Sequence, residues 1–144
     1  MTVERATRAD LPDVERLLER EHLPLDGVRD HVETMVVARH DGRVIGAAAL
    51  ECYSGGGLLR SVVVDAQWQG RRLGHQLTEA ALEMARQCEL PAVYLLTETA
   101  EGFFPRFGFT AISREEVPAS VQESVEFRSV CPASAIVMRK RLPR

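Results

Sequence analysis

Apolar residues fall along this chain at two spacings. Leu11, Val14, Leu17 and Leu18 recur three and four apart, and so do Leu77, Ala81, Met84 and Cys88. Each set predicts one buried helix face, the second on a helix running from about Leu73 to Cys88. Between and after them lie short runs dense in β-branched residues, which predict strands: "TVERA" (2–6), "MVVARH" (35–40), "RVIGAAALEC" (43–52), "LLRSVVVD" (58–65) and "AVYLLTET" (92–99). Stretches 109–117 and 134–142 supply two last strands around an irregular segment. Asp10 is the expected N-cap of the first helix, with Pro12 tolerated in its first turn. Asp41-Gly42 between two β-rich runs predicts a hairpin with a primed turn. "SGGG" (54–57) reads as a flexible connection, "DGVRDHVET" as a short helix, and "AEGFFPRF" as another that Gly108 stops. The order of elements implies an α/β (α+β) domain, with a mixed central sheet of about six or seven strands and helices on both faces.

The remaining composition narrows the class. The 144 residues contain no repeat, low-complexity segment or linker, so 1–144 is read as a single domain. A net charge of −3 lacks the basic footprint of a nucleic-acid binder, and the basic end "MRKRLPR" reads as strand edge and tail. No apolar stretch approaches the ~18 residues of a membrane span, and the charged N-terminus is unlike a secretory signal. Cys52, Cys88 and Cys131 form neither a zinc spacing nor a disulfide framework, which fits a cytoplasmic protein. His22, His31, His40 and His75 also lack ligand spacing, so no metal is expected.

The stretch "DAQWQGRRLGHQLTEAALEMAR" (65–86) sets a Gly- and Arg-rich turn directly before the long helix. A helix N-terminus carries unpaired N–H groups and partial positive charge, so it attracts phosphate. Gly70 and Gly74 would let backbone approach an anion closely, while Arg71 and Arg72 add cationic donors. The turn is neither a Walker A loop nor GxGxxG. It also reads as a solvent-facing turn whose arginines keep the chain soluble, and the motif alone leaves both readings open.

"SVVVDAQWQGRRLGHQLTEAAL" resembles the acetyl-CoA-binding core of the GNAT N-acetyltransferases. Gln69 and Gly74 match the ends of the family's Gln/Arg-x-x-Gly-x-Gly/Ala turn, which grips the pyrophosphate of acetyl-CoA. Arg72 stands where the first signature glycine belongs, a departure that still leaves its backbone N–H available. "TAEGFFPRFGF" (99–109) is similar to the family's segment after the fifth strand. More narrowly, "GLLRSVVV", "LLTETAEGFFPRFGF", "VPASV" and "EFRSVCPASA" resemble the arsenic-resistance N-acetyltransferases of the ArsN kind.

The resemblance implies a GNAT-like acyl-CoA N-acyltransferase fold and transfer of acetyl from acetyl-CoA to an amine. By it, strands four and five splay apart, and Val62, Val63 and Val64 supply the backbone edge for the pantetheine arm. A backbone N–H near Val62 would polarise the thioester carbonyl, with Leu73 in the phosphate turn. Phe104 matches the family's proton-donating Tyr, a role phenylalanine cannot fill. Thr97 matches its usual Asn and keeps a hydroxyl for the cofactor arm or a water.

Among candidate bases, Glu51 faces Arg60 across the Gly-rich connection. The pair is either a cross-strand ion pair or a site where Arg60 holds a substrate anion while Glu51 positions the amine. Glu98 is the other acidic candidate, although a solvated loop carboxylate is its simpler reading. Tyr53 and Ser134 are candidate substrate contacts. Cys131, one thiol without neighbours, is a poor site for trivalent arsenic and reads as packing. The function expected is N-acetylation of a small amino-acid-like amine, in an arsenic-resistance context by the narrower resemblance. A peptide or protein acceptor, or a non-catalytic acyl-CoA sensor, are the alternatives, and sheet edges leave a homodimer open.

Overall fold

The computed structural model describes residues 1–130 and 134–143. Strands β1 (Thr2–Arg5), β2 (Met35–His40), β3 (Arg43–Tyr53), β4 (Gly56–Val64), β5 (Ala92–Thr97), β6 (Thr110–Ile112) and β7 (Ile136–Arg141) form one seven-stranded sheet. Its order is β1-β2-β3-β4-β5-β7-β6. Only β4 and β5 run parallel as neighbours, so the sheet is mixed, as the element order predicts.

Strand alternation divides the core between two helices. On one face Met35, Val37, Ala47, Ala49 and Val63 pack with Leu11, Val14, Leu17 and Leu18 of α1 (Leu11–Arg20). The residues between them, including Val36, Ala38, Ala48, Leu50 and Leu59, meet Leu73, Leu77, Ala81 and Leu82 of α2 (Leu73–Gln87). Gly46 makes that second packing possible. A Cβ there would lie 2.8 Å from Leu77 Cδ1 and 3.0 Å from the Val63 carbonyl. Val121 of a short third helix, α3 (Ala119–Gln122), and Val117 just ahead of it cover Leu58 and Tyr94.

The hairpin turn is as predicted: Asp41 and Gly42 both take left-handed φ, 51° and 76°. Four other expectations need correction or refinement. The "SGGG" stretch is not a loose connection, because Gly56 and Gly57 pair with Tyr53 and Cys52 and leave only Ser54 and Gly55 in the turn. Asp10 takes the N-cap position of α1, but its side chain makes no capping hydrogen bond to the helix. Its carboxylate accepts from the Thr7 N–H at 2.9 Å and from Arg39 at 3.0 and 3.1 Å, so it ties the helix entry to β2. Cys88 is not on the inner face of α2, since it ends the helix as an exposed C-cap. β6 stops at Ile112, because Ser113 and Glu116 form a capping box that turns the chain. Cys131 lies outside the described residues. No described helix is long and apolar enough to cross a membrane.

Two backbone irregularities shape the functional end of the sheet. β4 and β5 pair only at Gly57–Val93 and Leu58–Tyr94. Beyond these positions β4 continues with β3 to Val64, and β5 with β7 to Thr97. The two strands therefore part toward their C-terminal ends. At the same place the β3–β4 register passes from Ala49–Arg60 to Ala47–Val63, inserting one residue into β4. That bulge carries Ser61 at φ 58°, a left-handed conformation outside the ladder.

Candidate active site

Where β4 ends, the chain makes a short turn at Ala66–Trp68 and enters α2. Gln69 fastens this loop: its Nε2 donates to the Val64 carbonyl at 3.1 Å and to Glu21 Oε1 at 3.2 Å. Gly70 takes φ 83°, and Arg72, at φ 63°, adopts the conformation a glycine would hold. The loop and the first turn of α2 border a groove of about 360 Å³. Val64, Trp68, Phe103 and Leu73 supply its apolar part, with Gln69, Arg72, His75 and Arg106 as polar lining.

The residues fit a CoA pyrophosphate. α2 presents unpaired N–H groups at its start, Arg72 and Arg106 are at hand, and Gly74 leaves a cradle. A Cβ on Gly74 would meet Phe103 at 3.6 Å and Val64 at 3.8 Å, ordinary contacts. The chain's own packing therefore does not require glycine at this position, and its absent Cβ leaves backbone open to the groove.

Other expected cofactor residues are placed differently. Arg71 lies outside the groove, its guanidinium 5.0 Å over the Trp68 ring. Val63 turns its side chain toward α1, while Val62 and Val64 lie on the α2 side. Phe104 is buried in the core and packs edge-on against Phe109, so Phe103 and not Phe104 lines the groove. Thr97 Oγ1 accepts the Ala100 N–H at 2.9 Å, closing the turn after β5. The sequence reading missed Trp68, His75, Phe103 and Arg106. Aromatics near a helix read as core until the fold shows which ones border a groove.

On the α1 face, beside the β4 bulge, a buried polar cluster forms around Arg60. Its side chain has 0% exposure. Nη1 donates to Glu51 Oε2 at 2.9 Å, Nη2 to the Pro24 carbonyl at 3.3 Å, and Nε to Ser61 Oγ at 3.2 Å. Glu126 Oε2 lies 3.4 Å from Nε. The Tyr53 hydroxyl donates to Glu51 Oε1, and His31 Nε2 stands 3.4 Å from Glu51 Oε2. Glu51 and Arg60 thus form the anticipated ion pair, and Tyr53 joins them. Glu98 and Ser134 are not gathered into the cluster, since both are exposed.

Two carboxylates facing one guanidinium leave an excess of negative charge. Burial pushes the Glu126 carboxyl up to about 7, against the opposing pull of Arg60, and Glu51 adds to the rise. Burial, then the hydrogen bond to Glu51, also raises the Tyr53 hydroxyl, so it stays protonated as a donor. His31 and Glu126 carried no local sequence signal, because each reaches Arg60 or Glu51 only through the fold, and nothing in the sequence marked the bulge at Ser61, the chain neighbour of Arg60.

A mixed sheet that parts between two parallel strands, with a glycine-bearing groove at the start of the helix that follows one of them, is the framework expected of an acyl-CoA-dependent transferase. Residues 31–111 match the family described as Acetyltransferase (GNAT) domain, and the chain belongs to it. It is an acetyltransferase with acetyl-CoA as co-substrate. Among its relatives, the amino-acid acetyltransferase of Mycobacterium tuberculosis is 33% identical over 83% of this chain and 74% of its own length. That of Neisseria meningitidis serogroup A is 24% identical over 97% of this chain, which spans only 34% of that relative. A Mycobacterium tuberculosis protein crystallised with CoA superposes with a TM-score of 0.84 at 29% identity, over 99% of this chain and 100% of the other. N-acetylglutamate synthase from Neisseria gonorrhoeae, complexed with coenzyme A and N-acetyl-glutamate, shares the fold. It has a TM-score of 0.85 at 23% identity, over 99% of this chain and 35% of that one. Both of these sequence relatives are amino-acid acetyltransferases, and neither carries an arsenic-resistance name.

Proposed function

We propose that the acceptor is the amine of a small free amino acid. The observation that carries this reading is Arg60, a wholly buried guanidinium at the β4 bulge, clasped by Glu51 where β4 leaves β5. An amino acid needs a cation for its carboxylate and an acceptor for the proton its ammonium must lose. Arg60 supplies the first. Glu51 supplies the second: its oxygens are oriented by Arg60 and Tyr53, and His31, with a side chain 25% exposed, links it to solvent. Acetyl-CoA brings the thioester. The α2 cradle holds its phosphates, and the residue that the bulge removes from the ladder, next to Val62, leaves backbone to meet charge on the thioester oxygen. The names of the relatives support the same acceptor class.

The test is free-thiol release from acetyl-CoA with amino acids, their decarboxylated amines, short peptides and organoarsenical amino acids. The last group carries the same amine and carboxylate, and brings in the arsenic-resistance resemblance. Turnover confined to compounds bearing both groups is expected. Arg60→Met should raise the acceptor KM at least about tenfold, the loss of one charged hydrogen bond, with Arg60→Lys in between. Equal use of the decarboxylated amines, or an unchanged KM in folded Arg60→Met, overturns the reading. Acetyl-CoA binding without thiol release across the panel would return the chain to the sensor alternative.

A further inference from the structure

We infer that Glu126 is an internal stand-in for the substrate carboxylate: it occupies the subsite on Arg60 that an acceptor must take, and so sets the threshold for acceptor binding. The inference rests on the proposed acceptor class. The partners of Arg60 are not equivalent. Glu51 is built into the sheet, two residues along β3 from Ala49, the register partner of Arg60. Ser61 is its chain neighbour, and Pro24 offers a backbone carbonyl. Among the described partners, Glu126 is the one side chain that reaches Arg60 from outside the sheet. It opens a single turn, Glu126–Val130, anchored by local bonds: Phe127 N–H to Ser124 Oγ at 3.4 Å and Arg128 N–H to the Ser124 carbonyl at 3.0 Å. Its carboxylate is 5% exposed and 3.4 Å from Arg60 Nε, a longer approach than the 2.9 Å of Glu51. An exposed Val125 precedes it, within reach of Gly27 on the loop that also holds Pro24.

Above about pH 7, where buried Glu126 is ionised, its exchange for an incoming carboxylate keeps the number of anions on Arg60 constant. One carboxyl group goes to water and another leaves it. The groups facing Glu126 are Arg60 on β4 and Glu51 and Tyr53 on β3, with His31 reaching Glu51 from the Val28–Thr34 turn. Burial between these groups favours the protonated form of Glu126, whereas water favours the ionised one. Raising the pH from about 5 to 8 therefore eases the departure of Glu126 and opens the subsite.

The experiment measures binding of N-acetyl amino acids, which carry the carboxylate but no reactive amine, by calorimetry at pH 5.5 to 8. Wild type should bind more tightly as pH rises. Glu126→Ala should bind about three- to tenfold more tightly than wild type at pH 6 and show a flat profile, because its subsite is open in every molecule. Glu126→Gln keeps a neutral occupant and should bind weakly at every pH. Glu126→Ala binding no tighter than wild type, an unchanged slope in that variant, or no binding by any form overturns the inference. The probes cannot turn over, so the outcome is separate from the acceptor assay. Amino acids failing as acceptors would sink the proposed function, and affinity indifferent to Glu126 would sink this one.

Discussion

Glu126 has a cost that stability measurements should expose. Its carboxyl rises from 4.5 to about 7 on folding. Below pH 4.5 both folded and unfolded chains hold the proton, and nothing is lost. Between pH 4.5 and about 7 the unfolded chain ionises while the folded one keeps its proton, so stability falls as pH rises. Above that window the penalty is complete, on the order of 3 kcal/mol. Glu126→Gln removes the titration. Its urea midpoint should exceed that of wild type at pH 8, and the gap should shrink toward pH 5. A constant gap would place the penalty elsewhere. At this scale the sequence was legible where partners are near in the chain. Glu51, Tyr53 and Arg60 flank one short hairpin, so strand alternation alone brought them together. Glu126 and His31 were not legible, because their positions depend on loops whose paths no local pattern specifies.

Among elements, α2 does two jobs. Its apolar stripe holds the sheet through Leu73, Leu77, Ala81 and Leu82, and its first turn borders the groove. Gly74 separates the two roles, because a Cβ there meets the protein only at ordinary contact distance. Gly74→Val should raise the acetyl-CoA KM by about ten- to a hundredfold, the loss of one or two charge-assisted hydrogen bonds, while thermal stability falls by less than about 1 kcal/mol. A KM that stays put in the folded variant would remove Gly74 from the cradle. The strand–turn–helix unit was readable from residues 65–86 because its geometry is local. Which of the neighbouring phenylalanines borders the groove was not readable, for the opposite reason. Four phenylalanines within seven positions share one composition signal, and only packing decides that Phe103 faces the groove while Phe104, Phe107 and Phe109 fill the core.

Across the whole molecule, the sheet is weakest at the join between β4 and β5, with two paired positions against six between β5 and β7. The face of α2 bridges the gap by packing on Leu59 of β4 and on Val93 and Leu95 of β5. A ligand seated at the α2 end of β4 adds to that bridge. CoA at a hundred times its dissociation constant should therefore stabilise the chain by about 2.7 kcal/mol, read as a rise in Tm of roughly 5–10 °C for a domain of this size. Gly74→Val should lose most of that rise at the same concentration. An undiminished rise in Gly74→Val would mean that the groove between Gln69 and Arg106 is not the CoA site.

The sequence by itself determined the mixed sheet, the two amphipathic helices and the strand–turn–helix unit at 65–86. Each follows from spacing within a few residues, where backbone geometry and apolar period act directly. Only the tertiary structure decided that β4 parts from β5 and that Ser61 bulges from the ladder. It alone closed the Arg60 cluster with Glu126 and His31. Those features arise from competition among strands and loops for the same partners, and burial far from the local chain settles that competition.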